Sequence, residues 1–182
     1  MPEFNIIDAQ NYDNWVYYNL DDDSIVDITH EESLLSTDWH IAFQRNHVKL
    51  NGGLSHIKED GEEIYYSGSM CGIVNDSQAW TDDLFHSTVQ IPDGECLVNE
   101  MIQGNMFTFE GCYDPDTHFF TDCVKNPALD QWGYFEGTDF IVNNYQFFVK
   151  DVDGNYVKLW LMKYKNTDGK AGHIRLAYEI IQ

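Results

Sequence analysis

Apolar residues recur at every second position along much of this chain, the spacing of strands that turn one face to a core and the other to water. Val16, Tyr18 and Leu20 alternate with Trp15, Tyr17 and Asn19, and Asp21-Asp22-Asp23-Ser24 stops the run. A short strand, Ile25-Val26-Asp27-Ile28, follows. Trp39, Ile41 and Phe43 repeat the half-buried spacing, with His40 and Ala42 on the opposite face, and Asn51-Gly52-Gly53 supplies the next turn. From about Leu54 to Pro92, Gly and Asp interrupt the chain and no period stands out.

The C-terminal part is the clearest. Tyr145 to Val149 is rich in aromatic and β-branched residues, and Asp151-Val152-Asp153-Gly154-Asn155 is a hairpin turn. Tyr156 to Tyr164 then places Val157, Leu159 and Leu161 on one face and Trp160, Met162 and Tyr164 on the other. After the polar loop Asn166 to Gly172, a last strand carries Ile174, Leu176, Tyr178 and Ile180 on one side. No convincing helical stripe is present. Short strands separated by turns predict an all-β, antiparallel fold, and the absence of a linker or repeat predicts a single domain over residues 1–182.

Charge narrows the partners. The chain has 31 Asp+Glu against 10 Lys+Arg, a net charge of −21. Such a charge repels phosphate backbones, so nucleic acid is excluded as a general partner and direct membrane binding is disfavoured. The acid is expected to form a solvated surface; steering of a basic partner protein is the sharper alternative. No apolar run reaches the length of a membrane-spanning helix. Met1-Pro2-Glu3-Phe4 has neither the basic start nor the apolar stretch of a signal peptide, so the chain reads as cytosolic or as a trimmed mature form.

Candidate chemistry is sparse. Cys71, Cys96, Cys112 and Cys123 lack zinc-site spacing and allow three pairings; buried free thiols are the simplest expectation. The Asp151–Asn155 turn resembles half of a calcium loop but lacks the later bidentate Glu, so calcium is not expected there. Most of the 7 histidines are expected at the surface or a rim. No nucleophile elbow, phosphate loop or His-Glu-x-x-His pattern occurs, and close carboxylate pairs are too easily produced by 31 acids to signal catalysis. The chain is read as a binding protein, not an enzyme.

Several motifs, in order, resemble the HmuY family of haem-binding lipoproteins. They are Ile7-Asp8-Ala9 with Tyr12 and Trp15-Val16-Tyr17; Asp38-Trp39-His40-Ile41-Ala42-Phe43-Gln44-Arg45 with Leu50-Asn51-Gly52-Gly53; and Trp132-Gly133-Tyr134-Phe135. Phe147-Phe148-Val149-Lys150 with Asp153-Gly154-Asn155 and Lys158 completes the set. The resemblance implies a HmuY-type β fold and a lipid anchor outside this sequence. It also implies an outer-membrane or secreted location, and capture of haem, from host haemoproteins, for delivery to an outer-membrane haem receptor. Through the Glu100-Met101 pair it implies Met106 as axial iron ligand. The second ligand position falls in Phe135-Glu136-Gly137-Thr138-Asp139, which has no His or Met, leaving Met101, Tyr134, Met70 and His118 as candidates.

Phe107, Phe109, Tyr134, Phe135 and Phe140 are the expected haem walls, with Lys125 a possible propionate partner. A thioether would favour ferrous iron. The alternative reading is a HmuY-fold module that has lost haem and binds another ligand or a partner protein.

Overall fold

The computed structural model describes residues 4–51, 55–59, 62–66, 70–75, 82–87, 101–103, 112–121, 123–126 and 129–181. Its largest sheet is antiparallel, in the order β1 (Asn5–Asp8), β17 (Ala171–Ile180), β16 (Tyr156–Lys165), β15 (Gln146–Lys150), β8 (Met70–Asn75). The second sheet has the order β3 (Ser24–Val26), β2 (Val16–Asn19), β4 (Ile41–Gln44), β5 (His47–Leu50). Four ribbons accompany them: β6 (Ser55–Glu59) with β7 (Glu62–Tyr66), β9 (Met101–Gln103) with β12 (Cys123–Lys125), β10 (Cys112–Asp114) with β11 (Phe119–Thr121), and β13 (Gly133–Glu136) with β14 (Asp139–Val142). The all-β expectation holds.

The two sheets close on one core. Ile41, Phe43, Val48 and Leu50 of the smaller sheet meet Val157, Leu159, Leu161, Ile174 and Leu176 of the larger. Leu129 and Trp132 of a short 3-10 turn, Leu129–Trp132, fill the end of this layer, and the indole donates to the Asn46 carbonyl at 2.7 Å.

Three departures from the sequence pattern have physical causes. First, β4 is buried on both faces, not one: Ile41 and Phe43 enter the main core, while Ala42 packs with Tyr17 and Trp39 in a second cluster beyond the sheet. Second, among the described residues there are two short helices, α1 (His30–Ser33) and α2 (Asp82–Ser87). The signal for α1 was in the chain: Thr29 and Glu32 form a capping box, with Thr29 N donating to Glu32 Oε2 at 2.8 Å and Glu32 N to Thr29 Oγ1 at 3.2 Å. Phe85 of α2 covers the outer face of β16 and β17 against Trp160 and Ala177.

Third, Tyr164 does not share the face of Trp160 and Met162. It joins the main core, because the β16–β17 register shifts between Leu161 and Lys163 and again between Lys163 and Lys165. A one-residue slip exchanges the faces of every later side chain.

Two histidines are also interior, not peripheral: His40 is 2% and His47 6% exposed. The free-thiol expectation fails for one pair. Cys112 and Cys123 form a disulfide, because the β10–β11 hairpin folds the chain back and brings their Cα atoms to 5.6 Å.

Candidate functional site

A cavity of about 940 Å³ opens beside the core, where the β4–β5 turn, the β10–β11 hairpin and the β13–β14 hairpin converge. The turn between β13 and β14 is short: Glu136 pairs with Asp139, and Gly137 takes a φ of +62° that a side chain would resist. This turn presents Tyr134 and Phe135 at the cavity mouth, each 52% exposed. Phe140 lies deeper, 5.1 Å from Phe135 and 4.6 Å from Tyr164 between ring centroids. Gly133 permits this packing, since a Cβ there would run into the Phe140 ring and the Ile141 carbonyl.

Arg45 is the cation at this site that sequence reasoning did not single out. It occupies the β4–β5 turn at φ +54°, a left-handed conformation held by its N–H on the Ala9 carbonyl at 2.8 Å. Its Nη1 donates to the Gln10 carbonyl at 3.0 Å, and its guanidinium lies 4.3 Å from the Tyr12 ring centroid and 5.8 Å from that of Tyr164. The positive φ tips the side chain out of the ladder toward these rings. The Tyr164 hydroxyl is buried beside Arg45; burial raises its pKa, and the charge and hydrogen bonding of Arg45 offset part of that rise.

Lys125 lines the cavity but is already neutralised. Its Nζ lies 2.6 Å from Asp130 Oδ2, and His47 Nδ1 lies 3.2 Å from Asp130 Oδ1. Burial works to raise the Asp130 carboxyl, but the His47 hydrogen bond and the charges of His47 and Lys125 outweigh it and hold the group below the usual aspartate range. Among the described residues no carboxylate pairs with Arg45, so Arg45 replaces Lys125 as the cation available to an anionic ligand.

Of the expected site residues, Tyr134, Phe135 and Phe140 converge on this cavity. Met106, Phe107 and Phe109 lie outside the described residues. Met101 begins β9, where its backbone stands opposite Lys125 in the ladder with β12. His118 is not among the cavity-lining residues: it sits exposed at the β10–β11 tip with Nδ1 2.9 Å from the Tyr113 hydroxyl. Met70 lies in β8, in the larger sheet.

Two other groupings are accounted for by their own bonds. The Asp151 carboxylate accepts from Asn155 N at 2.8 Å and Asn155 Nδ2 at 3.2 Å, so this turn is closed on itself. Ligand atoms of Asp21, His40 and Asp153 lie within 4.8 Å of one another. However, Leu20 N donates to His40 Nδ1 at 2.9 Å, which leaves the neutral ring's proton on Nε2, facing Asp153 at 3.2 Å. A protonated nitrogen has no lone pair for a metal.

This architecture has known counterparts. The model of the HmuY protein family matches residues 11–178. The chain belongs to the HmuY family. Among solved structures, the apo HmuY analogue of Tannerella forsythia superposes with a TM-score of 0.68 at 18% identity, covering 99% of this chain and 95% of that one. A HmuY-like protein of Bacteroides vulgatus, proposed to bind heme, gives 0.67 at 18% identity over 96% and 89%. A Bacteroides fragilis protein proposed to be a lipoprotein gives 0.64 at 17% identity over 96% and 88%. No curated protein sequence matches the chain significantly.

Proposed function

We propose that this HmuY-family protein binds haem outside the cell and passes it on for uptake. The observation that carries this reading is the cavity of about 940 Å³ with Tyr134, Phe135 and Phe140 on one side and Arg45 on the other. Its size falls within the usual range of ligand pockets, and its walls suit a flat apolar macrocycle. Haem carries two propionates, and Arg45 offers a guanidinium not committed to a carboxylate. The net charge of −21 disfavours propionates elsewhere at the protein surface.

Met106 is the proposed axial ligand. In sequence, residue 106 lies between β9, which ends at Gln103, and Cys112, the neighbour of Tyr113 on the cavity wall. Met101 is the proposed second methionine of the site. Bound haem iron would gain a soft thioether donor that favours the ferrous state. The chain's own residues supply the slot, the aromatic faces and the propionate cation. Capture from host haemoproteins, delivery to an outer-membrane receptor and lipid anchoring are the physiological setting proposed with it.

The test is an absorption titration with haem, first in air and then under dithionite. A saturable Soret band that shifts on reduction is the expected result. No band in either state would overturn the haem reading and leave a HmuY-fold module for another ligand.

A further inference from the structure

His47 and His40 are both interior, but their surroundings differ. His47 opens β5 just after the turn that carries Arg45, and among the described histidines it alone lines the cavity of Tyr134 and Phe135. Asp130, from the Leu129–Trp132 turn, lines the same cavity, and its Oδ1 meets His47 Nδ1 at 3.2 Å. Lys125 Nζ holds the other oxygen of that carboxylate at 2.6 Å.

This arrangement fixes where the imidazole proton goes. Burial opposes ionisation of Asp130, but His47 and Lys125 outweigh it and keep the carboxylate charged. An ionised carboxylate only accepts, so Nδ1 carries the N–H, and in the neutral ring Nε2 keeps its lone pair. Nε2 has no hydrogen-bond partner among the described residues and is not sealed in the interior; the ring meets open space at the cavity. At His40, by contrast, the lone pair is taken by the Leu20 N–H. A carboxylate behind an imidazole is the usual support of a metal-bound histidine, because it sets the ring orientation and raises the basicity of the far nitrogen.

We infer that His47, through Nε2, is the axial nitrogen ligand of ferric haem iron in this cavity, with Asp130 as the residue that positions it. The inference rests on the haem reading of the cavity. It supplies a donor that Phe135-Glu136-Gly137-Thr138-Asp139 lacks. A nitrogen made more basic by Asp130 is harder than a thioether and suits ferric iron, whereas Met106 suits ferrous iron. The two oxidation states therefore lean on different side chains. Arg45 and His47 flank Asn46, so the propionate cation and the nitrogen donor come from one turn. That turn is held on both sides, by the Arg45 N–H on the Ala9 carbonyl at 2.8 Å and by Trp132 Nε1 on the Asn46 carbonyl at 2.7 Å. A donor on a backbone pinned in this way is set in place before its ligand arrives.

The experiment is haem titration of the full chain in each oxidation state, with electron spin resonance of the ferric complex on protein carrying isotope-labelled histidine. The wild type is expected to show hyperfine coupling between a histidine nitrogen and ferric iron, and His47→Ala to lose it. Ferric affinity should fall about 100-fold in His47→Ala and about tenfold in Asp130→Asn, the loss usual behind a metal-bound imidazole, while ferrous affinity changes less. Added imidazole should restore the ferric spectrum of His47→Ala, which a merely structural role would not allow. His118→Ala, away from the cavity lining, is the control and should change nothing. If His47→Ala fails to fold, His47→Gln, which keeps an N–H for Asp130 but has no imidazole, takes its place. A wild-type Soret band without histidine coupling, or a His47 variant with wild-type ferric spectrum and affinity, would overturn this assignment and leave the haem reading standing. No Soret band in the wild type would overturn both.

Discussion

Cys123 is joined to Cys112 through sulfur and stands opposite Gln103 in the β9–β12 ladder. Both ends of residues 104–111 are therefore tied to the same residue, one by a covalent bond and one by strand pairing. A crosslink at this sequence separation of 11 removes loop entropy from the unfolded chain worth about 3 kcal/mol.

The double variant Cys112→Ser/Cys123→Ser is expected to lose about 3 kcal/mol of stability in denaturant unfolding. It should also bind haem more weakly if Met106 is a ligand, since Cys112 borders its segment. A wild-type melting temperature that does not respond to reductant would argue against a stabilising disulfide.

Lys158 is fully buried, with Nζ 2.8 Å from a Glu179 oxygen and 2.7 Å from the Phe85 carbonyl. Removing Glu179 strips the carboxylate from a fully buried ammonium, whereas removing Lys158 leaves a carboxylate that is partly solvated and still faces His86 at 3.1 Å. Glu179→Ala is expected to cost about 3 kcal/mol and Lys158→Met about 1 or less. Chemical denaturation of the two variants checks the order. A larger loss in Lys158→Met would mean that the ion pair itself is a strong net stabiliser.

How far the sequence reached depended on whether period two was kept. The hairpin of β15 and β16 was legible because Asp151–Asn155 is turn chemistry between two alternating runs. Tyr134 and Phe135, singled out within the family block, do line the cavity. Tyr164 was not singled out: the register shifts after Leu161 that bring it to the cavity leave no mark in an alternating pattern. Arg45 was in plain view within the recognised block, but only its left-handed turn conformation makes it face Tyr12. The disulfide could have been read from a hairpin at Asp114-Pro115-Asp116-Thr117, which sets Cys112 opposite Thr121, two residues before Cys123. Met106, Phe107 and Phe109 rest on the family pattern.

Asp23 joins three parts of the fold. Its Oδ1 accepts from Tyr18 at 2.7 Å, Tyr178 at 2.7 Å and Asn5 at 2.5 Å. The Tyr18 and Tyr178 hydroxyls hold its carboxyl below the usual value, and Asp130 is lowered as well. A carboxylate with a depressed folded-state pKa adds stability that is present above the unfolded value, about 3.9, and lost as pH falls through the folded one. Stability should thus decline below about pH 4. Burial, followed by the bonded Asp23, pushes Tyr18 and Tyr178 up, so that contribution is full below about pH 10 and lost at higher pH.

Asp23→Asn is expected to lower stability at pH 7 by about 1 kcal/mol, a figure kept small because Asp23 is exposed, and to soften both limbs of the pH profile. Unfolding free energy measured against pH in both proteins is the check. Superimposable profiles would show that these bonds contribute nothing in water.

Met106 is best tested by comparing two replacements. Alanine removes the sulfur and leaves the described walls at Tyr134, Phe135 and Phe140 in place. Ferrous haem binding should weaken by about tenfold, equivalent to about 1.4 kcal/mol, and ferric binding less, because the softer iron gains more from a thioether. Histidine restores a ligand with a different character: it should raise ferric affinity and move the Soret band. It should also make binding fall as pH drops through about 6.5, since imidazole must lose its proton to bind iron. The wild-type ferrous affinity should stay nearly level over the same range, a thioether having no proton to lose. If Met106 only fills space, Met106→Ala would lower stability by about 2–5 kcal/mol and leave the haem spectra of both oxidation states unchanged. A folded Met106→Ala protein with wild-type ferrous spectrum and affinity would remove Met106 from the site.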